Sequence, residues 1–184
     1  MADKKISDMT AASAYTGANE VYEMVQGGST RQGSHALLKT YFDTLYPTYT
    51  APASVTPVFT GLGTVSGLTA YTWRVGGILH FEITVTPGTT TATELRVGLR
   101  HNPGSGEVDV TTASTYPTLQ IVGTATSGAQ TANFTVIAEA SKTYLCMGKQ
   151  ADGSSAGLVK RNGNDIGSSG NVISMCGSVR IQGW

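Results

Sequence analysis

The stretch Tyr71-Thr-Trp-Arg-Val75, Gly76-Gly77, Ile78-Leu-His-Phe-Glu-Ile-Thr-Val-Thr86 constrains this chain more than any other. In its second arm Leu79, Phe81, Ile83 and Val85 alternate with His80, Glu82 and Thr84. A period of two is that of a strand with one dry and one wet face. Two glycines between two such arms suit the shortest hairpin loop, whose turn types require positive φ. The segment is therefore expected to be a hairpin, and a hairpin needs further strands to be stable. Tyr71, Trp73 and Val75 also alternate and are read as a core-facing row.

The pattern recurs downstream, where Leu95, Val97 and Leu99 oppose Glu94, Arg96 and Arg100. Residues 118–124, 131–138, 142–147 and 171–181 read as further strands, separated by Gly, Pro, Asn and Ser. Short strands with turn signals between them predict an antiparallel β-sandwich, jelly-roll-like, over residues 61–184. Composition agrees: 23 Gly, 27 Thr and 16 Ser make up over a third of the 184 residues, which argues against a helical bundle. Residues 149–171 are expected to form exposed loops, with a small hairpin around Asn162-Gly163.

The first 46 residues read differently. Leu37, Leu38, Tyr41, Phe42 and Leu45 form one helical stripe, with Ser34 as N-cap and Pro47 as a stop, which predicts a helix over about 34–45. Before it, Glu20 to Val25 reads as a short strand turned by Gly27-Gly28 towards a second around Thr30 to Gln32. A helix of this length is marginal alone, and a unit near 40 residues usually needs outside help. This small strand-plus-helix segment is therefore expected to dock on something. Residues 47–60 hold three of the six prolines and no charge, and read as an extended connector. The fold class expected is thus mainly β, in three parts: 1–46, 47–60 and 61–184.

Charge limits the partners. Twelve basic and twelve acidic residues cancel, so no polycationic surface is available for nucleic acid. Charged residues are 13% of the chain, against about 25% in an ordinary domain. The deficit sits in two uncharged runs, Thr44–Trp73 and Val110–Ala138. Both are laced with Thr, Gly, Ser and Pro, so neither reads as a membrane span, and the first residues contain no apolar core of a secretory signal. Cytosolic synthesis is expected. Surfaces so poor in charge are expected to be contact surface between subunits or with a larger particle.

No constellation for catalysis emerges. His35, His80 and His101 lack ligand-spaced partners and are read as surface or turn residues, so no metal or other cofactor is expected. Gly33-Ser34-His35 is better explained by a helix cap than by a nucleophile elbow. Glu107 and Asp109, the closest acidic pair, read as solvated loop charges without the walls of a sugar-cleaving site. Asn162-Gly-Asn-Asp165 lacks the ligand pattern of a calcium loop and reads as a tight turn. Cys146 and Cys176 are expected to be reduced, buried thiols. Tyr46, Tyr49, Phe59 and Tyr116 fall in uncharged, Pro-containing segments and are expected to anchor a subunit interface. Trp184 either closes a core edge or reaches a neighbour.

Ile6-Ser-Asp-Met-Thr-Ala-Ala-Ser13, Tyr15-Thr-Gly-Ala-Asn-Glu-Val-Tyr-Glu-Met-Val-Gln-Gly-Gly28, the Thr30-Arg31 strand and Leu37-Leu38 together resemble a recurrent N-terminal module of tailed-bacteriophage virion proteins. In that module an I-S-x-L-T-A-A opening leads through T-G-x-E to V-V-Q-G-G and a short helix. Met9 and Glu23-Met24 stand where the module carries Leu and an apolar-Pro pair. Tyr71 to Phe81 and Val179-Arg-Ile-Gln-Gly-Trp184 are similar to the hairpin and closing strand of β-structured tips in the same proteins. The resemblance implies a non-enzymatic virion component, a homotrimer assembled in the bacterial cytoplasm. It would be a capsid decoration or head-fibre subunit, or alternatively a tail-fibre, tail-adaptor or host-glycan-binding module. On this resemblance Ile6, Met9, Val21, Val25, Leu37, Leu38, Tyr41 and Phe42 would contact other virion proteins, and the β-domain would project outward towards a host surface glycan.

Overall fold

The computed structural model describes residues 21–26, 29–34, 48–101, 106–115, 119–128, 130–150 and 157–184. The chain divides into two compact units, Met1–Tyr46 and Pro47–Trp184. In the first, β1 (Val21–Gln26) pairs antiparallel with β2 (Ser29–Ser34), Gln26 opposite Ser29 and Val21 opposite Ser34. The helix expected over 34–45 lies outside the described residues, apart from Ser34, which closes β2.

The second unit is mainly β. Its strands are β3 (Ala53–Ser54), β4 (Val58–Thr60), β5 (Ser66–Val75), β6 (Ile78–Thr86), β7 (Arg96–Gly98), β8 (Arg100–His101), β9 (Val108–Asp109), β10 (Gln120–Ser127), β11 (Gln130–Ala138), β12 (Tyr144–Gln150), β13 (Leu158–Lys160) and β14 (Ile173–Arg180). Ten of them form one antiparallel sheet in the order β3-β5-β6-β14-β10-β11-β12-β7-β4, with β13 paired to β12. The pair β8-β9 stands as a separate ladder.

Chain connectivity dictates the curl of this sheet. Laid flat, nine strands about 4.8 Å apart would hold β3 and β4 roughly 38 Å from each other. Those edge strands are joined by Val55, Thr56 and Pro57 alone. Four Cα steps reach at most about 15 Å. The sheet must therefore curl until its edges meet, and the inward faces enclose the core.

Leu79, Phe81, Ile83 and Val85 are all at most 1% exposed, as are Leu95, Val97 and Leu99, so both sequence alternations point inward as expected. Val136, Leu145, Met147, Ile173 and Met175 complete the interior from β11, β12 and β14. Phe81 lies over Gly177 of β14, which faces Gly123 of β10 at a bulge. Two missing side chains make room for one large ring.

Three expectations are corrected here. Residues from Thr48 onward are not a connector. Thr50 N–H donates to the Arg74 carbonyl at 3.0 Å, Gly76 N–H to the Thr48 carbonyl at 2.7 Å, and Ala53 pairs with Thr72. Pro52 and Pro57 flank an edge strand, the place where a residue lacking N–H is tolerated. The row Tyr71, Trp73 and Val75 faces outward, while Ala70 and Thr72 are buried. The turn sets Val75 opposite Ile78, hence Trp73 opposite His80 and Tyr71 opposite Glu82, and directly opposed residues share a face. Asn162-Gly163 starts no hairpin. Asn162 precedes one helical turn, α1 (Gly163–Ile166), its N–H donating to Asp165 Oδ2 at 3.2 Å, and Ile166 is fully buried.

Candidate functional site

Three features of the second unit stand out from a bland surface. The first is the outward face of the β5-β6 hairpin. Tyr49 is 64% exposed, and Tyr71, Val75 and Ile78 are exposed beside it. Trp73 stacks on His80 with centroids 5.3 Å apart and planes 8° from parallel. Tyr49 opposes Val75, which opposes Ile78, so these side chains form one continuous aromatic and aliphatic surface. Arg180, opposite Ile78, ends that row, and Glu82, opposite Tyr71, is the charged member of a neighbouring one.

The second is a charged cluster beside β12. Glu94 accepts from Arg96 Nε at 2.7 Å and lies 3.4 Å from Lys160 Nζ, which is 2.6 Å from Glu139. The Cys146 thiol donates to Glu94 at 3.5 Å. Burial, followed by the negative charge of Glu94, pushes this thiol up to about 12. Such a thiol is no nucleophile near neutral pH, because the reactive species is the thiolate. Burial alone would raise the Glu94 carboxyl, but its bonds to Arg96 and the Lys160 charge outweigh that and hold it below the usual range. The cluster is a set of mutually satisfied charges. Cys146 is buried and Cys176 exposed, both free, so the expectation of two buried thiols fails for Cys176, which lies on the outer face of β14.

The third is an open cleft of about 330 Å³ on the outside of β4, β7 and β12. Its centre is a gap in a row of side chains: Val58, Gly98 and Tyr144 oppose one another on three neighbouring strands. Val58 and Tyr144 are walls, and Gly98 supplies no side chain between them. Arg96 and Arg100 line the cleft together with Thr60, Thr143 and Asp109. Leu95, Val97 and Leu99 point inward, so Arg96, Gly98 and Arg100 must point outward. The Arg96 guanidinium sits 4.5 Å over the Tyr144 ring, a cation–π contact, and keeps its Nε on Glu94. Arg100 lies 3.3 Å from Asp109 and 3.6 Å from Glu107. The Arg100 Nε contact with Asp109 is close enough for an ion pair but lacks hydrogen-bond alignment, which leaves that buried N–H without a bonded partner among the described residues.

Glu107 also accepts from the Thr56 N–H in the link between β3 and β4, so of the acidic pair read as solvated Glu107 is engaged with that link and Arg100, while Asp109 pairs with Arg100 and stays 62% exposed. His101, expected in a surface turn, is 2% exposed. Its Nδ1 lies 3.1 Å from Thr72 Oγ1, its Nε2 3.4 Å from Thr50 Oγ1, and its ring meets Trp184 edge-on at 5.1 Å. Burial, then the Arg74 charge, lowers its affinity for a proton. Arg74 also covers the Trp184 ring at 4.4 Å, and Trp184 packs against the core, so that residue closes a core edge.

Of the expected interface residues, Tyr49 is exposed, whereas Phe59 opposes inward-facing Val97 and packs against the core. Tyr46 and Tyr116 lie outside the described residues. Of the expected anchoring residues, Val21 and Val25 are in β1, opposite Ser34 and Thr30, and Ile6, Met9, Leu37, Leu38, Tyr41 and Phe42 lie outside the described residues. The cleft was not singled out in the sequence. Its signal there was the outward register of Arg96 and Arg100 around Gly98. Among the described residues no group of three or more His, Cys, Asp or Glu side chains is placed to hold a metal ion, and no helix is long and apolar enough to cross a membrane. Comparison with protein family models, with curated proteins and with solved structures finds no match to this chain.

Proposed function

We propose that this chain is a non-enzymatic structural subunit of a tailed-bacteriophage virion, a capsid decoration or head-fibre protein. Its first 46 residues attach it to the particle and its β-unit is displayed outward. The observation that carries this reading is the division of the chain at Tyr46/Pro47, beside a module-like sequence confined to the first unit. We take the anchor as strand-plus-helix and the displayed unit as jelly-roll-like, with the curled sheet closed on itself.

The subunit is a homotrimer in this reading, and the Tyr49, Tyr71, Trp73, Val75 and Ile78 face is its contact surface. Around a threefold axis each subunit meets its neighbour through two different patches, and only residues nearest the axis meet their own copies, where apolar side chains avoid opposing like charges; Glu82 and Arg180 lie at the border of this face. Contiguous exposed apolar side chains rimmed by polar ones are what such contacts cover. Many copies on one particle would then convert weak surface contacts into avidity.

The test is incorporation. Particles assembled with the full chain should retain it after gradient purification, while a chain lacking residues 1–46 should stay in the soluble fraction. Equal retention of the shortened chain would refute the anchor assignment. Light scattering of the purified full chain should give three copies, and a monomer at micromolar concentration would refute the trimer.

A further inference from the structure

We propose that the cleft around Gly98 is a binding site for a neutral saccharide. The argument rests on shape, on the kinds of polar group present and on their balance of charge.

The shape is a slot in the outer surface of the sheet. Val58 and Tyr144 stand on either side of Gly98, and the whole cleft, which extends past them to Arg96, Arg100 and Asp109, is about 330 Å³, at the small end of ligand sites. A Cβ on Gly98 would stand 3.3 Å from Val58 Cβ, so any larger residue would fill the floor. Arg96 and Arg100, four positions apart on an extended chain, are spaced by about 13 Å at their Cα atoms. That span suits one or two sugar rings lying along the strand.

The polar groups are mixed. Guanidinium groups donate, the Asp109 carboxylate accepts, and the Thr60 and Thr143 hydroxyls do both. A sugar hydroxyl both donates and accepts, so adjacent hydroxyls can bridge a guanidinium and a carboxylate without displacing either charge. Asp109 is well placed for this, since its side chain is 62% exposed while paired with Arg100. Arg100 is held by its ion pairs with Asp109 and Glu107, which fix the guanidinium at the cleft wall, where its terminal N–H groups serve as donors. Val58, exposed at the cleft wall, offers apolar surface to the C–H face of a ring.

Charge decides between neutral and acidic ligands. Arg96 is matched by Glu94, and Arg100 by Glu107 and Asp109. With Lys160, which Glu94 and Glu139 share, three cations stand against four carboxylates, which leaves no positive field to attract an anion. The site is therefore set for hydroxyls and not for phosphate, sulfate or uronic acid groups.

The experiment uses the full chain on an array of neutral oligosaccharides of glucose, galactose, mannose and N-acetylglucosamine, beside sialylated and uronic-acid oligosaccharides. Saturation-transfer NMR on the hits follows. Saturable binding of a neutral member, near millimolar for so open a site, is expected. Asp109→Asn should weaken it at least tenfold with the fold intact, and Gly98→Val should abolish it. Glu82→Gln, on the hairpin's outer face, should leave it unchanged. Competition by the free monosaccharide would support a one-ring site, and binding of longer chains alone would support a polysaccharide ligand along the slot. Binding of acidic members only, no binding at about 10 mM, or wild-type binding by both Asp109→Asn and Gly98→Val would overturn the proposal. Particle incorporation is measured independently of all these outcomes, so the structural assignment and the saccharide site can fail separately.

Discussion

Replacing Gly177 by alanine tests the packing of the core at its tightest point. The added Cβ would stand 2.7 Å from Gly123 Cα and 2.8 Å from Phe81 Cζ, and closer still to the Val122 carbonyl oxygen. Carbon pairs are most favourable at about 3.5–4.0 Å, so each contact is a hard overlap. Two of the three opposing atoms are backbone of β10, and the third belongs to a phenyl ring that is 1% exposed. None can swing aside as a surface side chain would. Relief requires β10 and β14 to separate or Phe81 to leave its rotamer, and overpacking of this kind costs about 1–3 kcal/mol or more. We expect about 3 kcal/mol, read as a lower urea midpoint at unchanged slope and a Tm lower by roughly 10 °C. Gly157→Ala is the control, because among the described residues nothing lies within 4 Å of its added Cβ, and it should stay within about 0.5 kcal/mol of the parent. Phe81→Leu removes one of the overlaps, so Gly177→Ala should cost about 1 kcal/mol less in that background. Equal stability of Gly177→Ala and Gly157→Ala would refute the account.

Further predictions concern the interior and its titrating groups. Leu145→Ala, at a fully buried position, should lower stability by about 2–5 kcal/mol in urea unfolding. Alkylation at pH 8 followed by mass analysis should add one group to the native protein, at exposed Cys176, and two after denaturation; rapid modification of native Cys146 would contradict its burial and raised pKa. His101 binds its proton more weakly folded than unfolded, so its contribution is fully present above pH 6.5 and is lost as pH falls from there towards the lower folded value. The urea midpoint should therefore drop between pH 7.5 and 5.5, and His101→Gln should flatten that drop; an identical slope in both proteins would exclude His101 as its source.

Most of the interior was legible in the sequence, because period-two alternation depends on the pleat alone. Leu79 to Val85 and Leu95 to Leu99 needed no tertiary information to be placed inward. The error at Tyr71, Trp73 and Val75 was also avoidable. A two-residue turn puts Trp73 opposite His80, so a wet His80 and a dry Trp73 could not both hold. His101 differs, for its burial comes from Thr72, Thr50 and Trp184, which stand 29, 51 and 83 positions away in the chain. No local pattern records such a meeting. Pro52 and Pro57 misled for a related reason, since a proline-containing run reads alike as a connector and as an edge strand, and only pairing with β5 separates them.

The residues by themselves determined that this chain is built of strands, where the β5-β6 hairpin turns and which side of β6 and β7 faces the core. These follow from backbone geometry and the free energy of burying apolar side chains, both local in sequence. Only the tertiary structure decided that the sheet curls until β3 and β4 are bridged by three residues, and that Val58, Gly98 and Tyr144 line up across three strands. Those outcomes depend on which strands become neighbours. Neighbour choice minimises exposed edge and unfilled volume over the whole unit at once, and no window of the sequence contains that sum.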